Sequence, residues 1–173
     1  PNTSPMMRFA LDRAWFLADA GQATPGDRQH AVYAVSFAPT GDWFPMVWNE
    51  TSREVSLSGE AYFEVEADRK SPFYVHTDAG MSVYVYGTSF NVNAYDDEPA
   101  IRTVLEKGRV SVVAPDRTTV RIEPGEQVVF DRRTGALTCS QVRVEDECAW
   151  RDGRLVFRNT PLDEVLHRLG RHY

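Results

Sequence analysis

Leu57-Ser58-Gly59-Glu60-Ala61-Tyr62-Phe63-Glu64-Val65 places a glycine ahead of a run in which Ala61, Phe63 and Val65 alternate with Glu60, Glu64 and, beyond the run, Glu66. A period of two is the signature of a strand with one apolar and one polar face, and the glycine supplies a turn or bulge before it. Three later phrases repeat the device: Gly87-Thr88-Ser89-Phe90-Asn91-Val92, Gly108-Arg109-Val110-Ser111-Val112 and Pro124-Gly125-Glu126-Gln127-Val128-Val129-Phe130. Between them, residues 54–58, 72–77, 81–86, 100–105, 118–122 and 137–144 also read as short strands, each bounded by Gly, Pro or Asp. Many short strands without intervening helical periods predict a mostly β domain, a twisted β-sandwich or a β-solenoid-like stack.

The flanks read differently. Residues 6–20 carry a weak helical spacing of Phe9, Leu11, Trp15, Phe16 and Ala18, residues 30–37 are β-prone, and Pro45 makes residues 43–48 an edge strand or an ordered loop. At the other end, residues 150–157 read as a turn and strand. A helix follows, with Thr160 as N-cap, Pro161 at its first position and Asp163 three residues after the cap. Leu162, Val165, Leu166, Leu169 and Tyr173 form one apolar stripe on it, and Leu162, Val165, Leu166 and Leu169 are a candidate protein contact, either docked on the β domain or paired with another chain, such as a second copy. The expected organisation is an N-terminal segment over 1–23, an all-β domain over 24–149, and over 150–173 a strand and helix that begin a truncated αβ module.

With 173 residues, 42% of them hydrophobic and 12% aromatic, the chain can bury a sizeable core without a staple. A net charge of −6 with scattered basic residues argues against nucleic acid as a partner. The apolar stretch over residues 9–18 is broken by Asp12 and Arg13, so it is neither a membrane span nor a signal-peptide core. Cys139 and Cys148 lack zinc-site spacing; a disulfide in an oxidising compartment and two buried free thiols both fit the sequence.

Residue spacing assembles no catalytic, metal or cofactor set. His167 and His172 are five apart on the predicted helix, where two ligands on one face need three or four, so they read as surface residues; His76 reads as structural or exposed. Gly-x-Ser-x-Gly is absent. Asp96-Asp97-Glu98 lacks the ligand spacing of a calcium loop and reads as a solvated turn before Pro99. Glu60, Glu64 and Glu66 could line a carboxylate cleft, but amphipathic alternation accounts for them as the solvated face of a sheet. Trp43, Phe44 and Trp48 read as core, or as an aromatic patch for a ligand.

Taken in order, the phrases from Leu57 to Val65, Pro72-Phe73-x-Val75, Val85-x-Gly87-Thr88-Ser89-Phe90-Asn91-Val92, Leu105-Glu106-x-Gly108-x-Val110-x-Val112 and Pro124-Gly125-Glu126-Gln127 resemble the FecR family. The closing pattern Trp150-x-x-Gly153-x-Leu155-x-Phe157-x-x-Thr160-Pro161-Leu162-x-Glu164-Val165 is similar to that family's next segment, a small αβ module like the secretin and TonB N-terminal domain. The resemblance spans roughly residues 53–173 and is poor before Arg53. It implies a non-enzymatic periplasmic sensor domain of an inner-membrane anti-sigma factor, without cofactor. Its signal would come from a TonB-dependent outer-membrane transducer and pass to an extracytoplasmic-function sigma factor, in response to cargo such as an iron chelate or a glycan. The full-length protein is then expected to carry one transmembrane helix upstream of Pro1 and further αβ sequence after Tyr173. The competing reading is a secreted carbohydrate-binding or hydrolytic β-sandwich that uses Trp43, Trp48 and the strand-borne glutamates.

Overall fold

A computed structural model of the chain describes residues 15–18, 32–37, 47–49, 54–65, 67, 69–70 and 72–172, with side chains described from residue 54 to residue 170. The strands run β1 (Trp15–Ala18), β2 (Val32–Phe37), β3 (Val47–Asn49), β4 (Glu54–Leu57), β5 (Gly59–Val65), β6 (Phe73–Thr77) and β7 (Ser82–Val85). They continue as β8 (Thr88–Ala94), β9 (Ala100–Lys107), β10 (Val110–Val113), β11 (Thr119–Ile122), β12 (Glu126–Asp131) and β13 (Leu137–Gln141). A one-turn helix α1 (Val144–Glu147), a 3-10 turn at Ala149–Asp152 and helix α2 (Leu162–His172) complete the described chain.

Two sheets face each other as a sandwich. One has the order β1-β2-β5-β8-β9-β12-β13 and the other β11-β10-β7-β6-β4-β3. Neighbours pair antiparallel except β4 and β6, which run parallel because β5 between them lies in the opposite sheet. Of the two architectures expected, the sandwich is the one formed.

The four glycine phrases mark the corners of this sandwich. The chain changes sheet at Gly59 (β4 to β5), Gly87 (β7 to β8), Gly108 (β9 to β10) and Gly125 (β11 to β12), and all four glycines have positive φ. Two corners touch. A Cβ on Gly108 would stand 2.6 Å from the Gly87 carbonyl oxygen, and one on Gly87 would stand 2.4 Å from the Ala67 Cα. The Thr88 hydroxyl donates to the Arg109 carbonyl at 2.8 Å, tying the same two corners together.

Alternation then fills the interior. Ala61, Phe63 and Val65 from β5, Phe90 and Val92 from β8, and Ile101 and Leu105 from β9 meet Val55, Phe73, Val75, Val83 and Val112 from the facing sheet. Phe63 stacks on Phe90 with ring centroids 5.1 Å apart and meets Phe73 across the interface at 5.7 Å. Each of the Val, Ile, Leu and Phe side chains contributes about 2 kcal/mol through its removal from water.

The flanks correct several expectations. Trp15–Ala18 is a strand, not part of a helix over 6–20, whose remaining residues lie outside those described. Residues 30–37 do supply a strand, and Val47–Asn49 is an edge strand, as Pro45 implied. The expected strand within residues 150–157 is a 3-10 turn and irregular chain instead, because Cys148, Ala149 and Trp150 turn inward onto the sheet and Gly153 ends the turn in the left-handed conformation. Helix α2 forms where its signals lie.

Gly108→Ala should therefore cost roughly 3 kcal/mol in urea-monitored unfolding, combining left-handed strain with a backbone clash. Gly135→Ala, at φ 73° with nothing within 4 Å of the added methyl, should cost about 1 kcal/mol from strain alone.

Candidate functional site

The outward face of β5 presents Glu60, Tyr62 and Glu64, the residues alternate to its core positions. Register carries this face across the sheet in two rows: Glu60, Asn93, Arg102 and Val129, and beside it Tyr62, Asn91, Val104 and Gln127. Asn is disfavoured in strands, so two on the same face of β8 need a specific reason. The structure supplies one: this face is covered by the C-terminal arm, residues 144–168.

The arm grips the sheet at an apolar patch where Cys148 and Trp150 pack with Tyr62 and Tyr95, flanked by Val144 and Leu155. The Arg151 guanidinium lies 3.6 Å over the Tyr62 ring and 3.8 Å from Glu106, whose carboxylate also accepts a hydrogen bond from the Tyr62 hydroxyl. Beside the patch the arm roofs a polar cavity of about 170 Å³. Glu60, Asn91, Asn93, Arg102 and Gln127 form its floor; Asp146, Glu147, Arg158, Glu164 and Arg168 hang from the roof.

Ion pairs line the cavity, and one of them, Arg102 to Glu164, joins sheet and arm. Arg102 is 3.6 Å from Glu98 and 3.8 Å from Glu164, and Arg158 pairs with Asp146 within the arm. The Asp146 carboxyl is held below its ordinary range chiefly by its hydrogen bond from Arg158. A further contact, His167 to Asp97 at 3.2 Å, ties α2 to the turn after β8.

At the bottom lies Glu60, only 4% exposed. The Asn91 Nδ2–H donates to its carboxyl at 2.9 Å, and the Trp150 Nε1–H donates to Asn91 Oδ1 at 3.1 Å. Burial pushes the Glu60 pKa up to about 7, outweighing the lowering effects of the Asn91 hydrogen bond and the Arg168 charge. Burial likewise pushes the Cys148 thiol up to about 12 and raises the Tyr62 phenol.

The expectation of a solvated glutamate face thus fails at Glu60, which the arm buries, while Glu64 is half-buried and Glu66 lies outside the described residues. Asp96-Asp97-Glu98 is a turn, but Glu98 is buried in the cavity rather than solvated. His76 is half-buried on β6 and shares a hydrogen bond with Ser82 Oγ at 2.8 Å; His167 is exposed. The side chains of His30, Trp43, Phe44, Trp48, His172 and Tyr173 lie outside those described. Both cysteines are free, Cys139 exposed and Cys148 buried. On α2, Leu162 and Leu166 are 71% and 61% exposed, while Val165 and Leu169 are half-buried. No serine, cysteine or histidine lines the cavity with Glu60, and no metal-binding cluster occurs among the described residues. None of the described helices is long and apolar enough to cross a membrane.

Residues 46–111 match the family model described as FecR protein. Two crystal structures from Parabacteroides distasonis, each provisionally described as an anti-sigma factor, share the fold. One, at 1.65 Å, is 32% identical with a TM-score of 0.72 over 81% of this chain and 66% of its own length. The other, at 2.50 Å, is 28% identical with a TM-score of 0.76 over 94% of this chain and 71% of its own. A search of curated proteins gives no match.

Asn91→Ala removes a partner from both Glu60 and Trp150 inside this covered face. It should cost about 2 to 4 kcal/mol in urea-monitored unfolding at pH 7; Trp150→Phe, which removes the indole donor and part of a buried ring, should cost about 2 to 3.

Proposed function

The chain is a FecR-type protein, and from that premise we propose that it is the signal-receiving part of an anti-sigma factor and not an enzyme. The observation that carries this reading is the match of residues 46–111 to the family, together with 32% identity to an anti-sigma-factor-like structure across 81% of the chain. The domain lies in the periplasm, in a longer inner-membrane protein with one transmembrane helix. It receives a signal from the signalling domain of a TonB-dependent outer-membrane transducer and relays it to an extracytoplasmic-function sigma factor held by a cytoplasmic segment. The architecture suits such a role. A sandwich with a continuous apolar interior is a rigid platform, and an arm held by scattered ion pairs on its outer face is an element that can respond. The exposed Leu162 and Leu166, with Val165 and Leu169 beside them, serve as protein contact on this reading.

In the native bacterium, excising residues 54–141 from the full-length protein should make a sigma-dependent reporter insensitive to inducer. A bacterial two-hybrid assay should pair this chain with the transducer's signalling domain, and Leu162→Asp with Leu166→Asp should weaken that pairing while leaving thermal unfolding of the chain unchanged. Normal induction after the excision would overturn the reading.

A further inference from the structure

Among the contacts between arm and sheet, one amide leads to the buried carboxyl. Trp150 on the arm donates to Asn91, and Asn91 donates to Glu60 on β5, so an arm residue is coupled to the state of a carboxyl beneath it. The cavity that holds that carboxyl is also lined by Asn91 and Asn93 from β8, Glu98 from the following turn, Arg102 from β9, Gln127 from β12, Asp146 and Glu147 from α1, Arg158 and Thr160 from the linking segment, and Glu164 and Arg168 from α2. Arg102 is engaged by Glu98 and Glu164, and Arg158 by Asp146. Arg168 is the cation whose charge acts on Glu60, and Glu147 opposes it.

One atom distinguishes the two protonation states. Asn93 is the register partner of Glu60 on β8, and its Oδ1 is buried with no hydrogen-bond partner. A carboxylate is acceptor-only and offers that oxygen nothing, whereas a carboxylic acid carries an O–H that could satisfy it. The covered face is therefore better completed by neutral Glu60 than by its anion, and an unsatisfied buried acceptor is costly.

We propose that the C-terminal arm is a proton-linked latch, docked on the seven-stranded sheet while Glu60 carries its proton and released as Glu60 ionises. Docking takes one proton from water onto the Glu60 carboxylate, and release returns it. The Glu60 pKa stands at about 7 beneath the arm, against 4.5 for a carboxyl open to water. A group whose pKa is raised in the docked state strengthens docking fully below pH 4.5, and that contribution fades as pH rises through 7. Opening of the arm should increase roughly 70-fold between pH 5 and pH 8.

Hydrogen exchange of the whole 173-residue chain, corrected for intrinsic exchange rates and read by peptide, tests this. Protection over residues 144–168 should fall by roughly that factor from pH 5 to pH 8 while peptides from β5, β8 and β9 hold theirs. Glu60→Gln keeps an acceptor for Asn91 and presents a donor in place of the acid O–H, so it should leave the arm protected at pH 8 with a flat profile. Trp150→Phe should lower protection at every pH with the slope retained. Glu98→Gln, at the other buried carboxylate of the cavity, should also retain it. Equal arm protection at pH 5 and pH 8, a slope surviving in Glu60→Gln, or a slope lost in Glu98→Gln would each overturn the latch. Should Glu60→Gln fail to fold, a carbon-13 titration of the Glu60 carboxyl in the unaltered chain decides. A midpoint near 7 that moves together with the Trp150 indole proton supports the latch, and one in the ordinary carboxylate range overturns it.

Discussion

The carbonyl oxygen of Gly87 occupies the space into which a side chain at Gly108 would project, and the backbone at Ala67 closes the space beside Gly87. This close approach lets β7 pass to β8 within one sharp corner and lets β9 leave for β10 beside it, so the two sheets are stitched together there. Everything inward follows from that geometry. Once the corners are set, Phe63, Phe73 and Phe90 must meet in the interior, and the strict alternation of β5 and β8 leaves Glu60, Tyr62, Asn91 and Asn93 together on the outside.

Both the strands and their corners were legible in the chain, because glycine followed by alternation reports a local property. A residue that must adopt positive φ and a strand with a period of two are written within a few positions of each other. The helix α2 was legible for the same reason, through Thr160, Pro161 and its apolar spacing. Sheet membership was not. Nothing in the phrase around Gly59 differs in kind from the phrase around Gly125, yet what each corner joins is set by pairings between distant segments. Residues 150–157 were misread because Leu155, Val156 and Phe157 look like a strand, whereas the tertiary demand of seating Trp150 against Tyr62 and Asn91 overrode that preference.

Burial of Glu60 was hidden for a related reason. Alternation tells which residues share a face, and it is silent about what lies on that face. A glutamate opposite a core position is ordinarily solvated, and only the segment some 90 residues later makes it otherwise. One residue-level sign existed: Asn91 and Asn93 on a single strand face are poor solvent-facing choices and good ones beneath a polar cover. The sign is weak in isolation, since amides also serve turns and caps.

The two faces of the seven-stranded sheet therefore differ in kind. Inside, apolar contacts are numerous and nondirectional, and losing any one leaves the rest in place. Outside, the arm is held by a small apolar patch and by hydrogen bonds and ion pairs that water can replace, and such interactions give modest net stabilisation. Cooperative units held this way open at lower free energy than the core they rest on. The arm can thus leave the sandwich without unfolding it, and the two rows Glu60-Asn93-Arg102 and Tyr62-Asn91-Val104 are what it would uncover. A platform that keeps its shape while one covered face is exposed or sealed is what a receiving domain needs, because the change is confined to the surface that a partner can read.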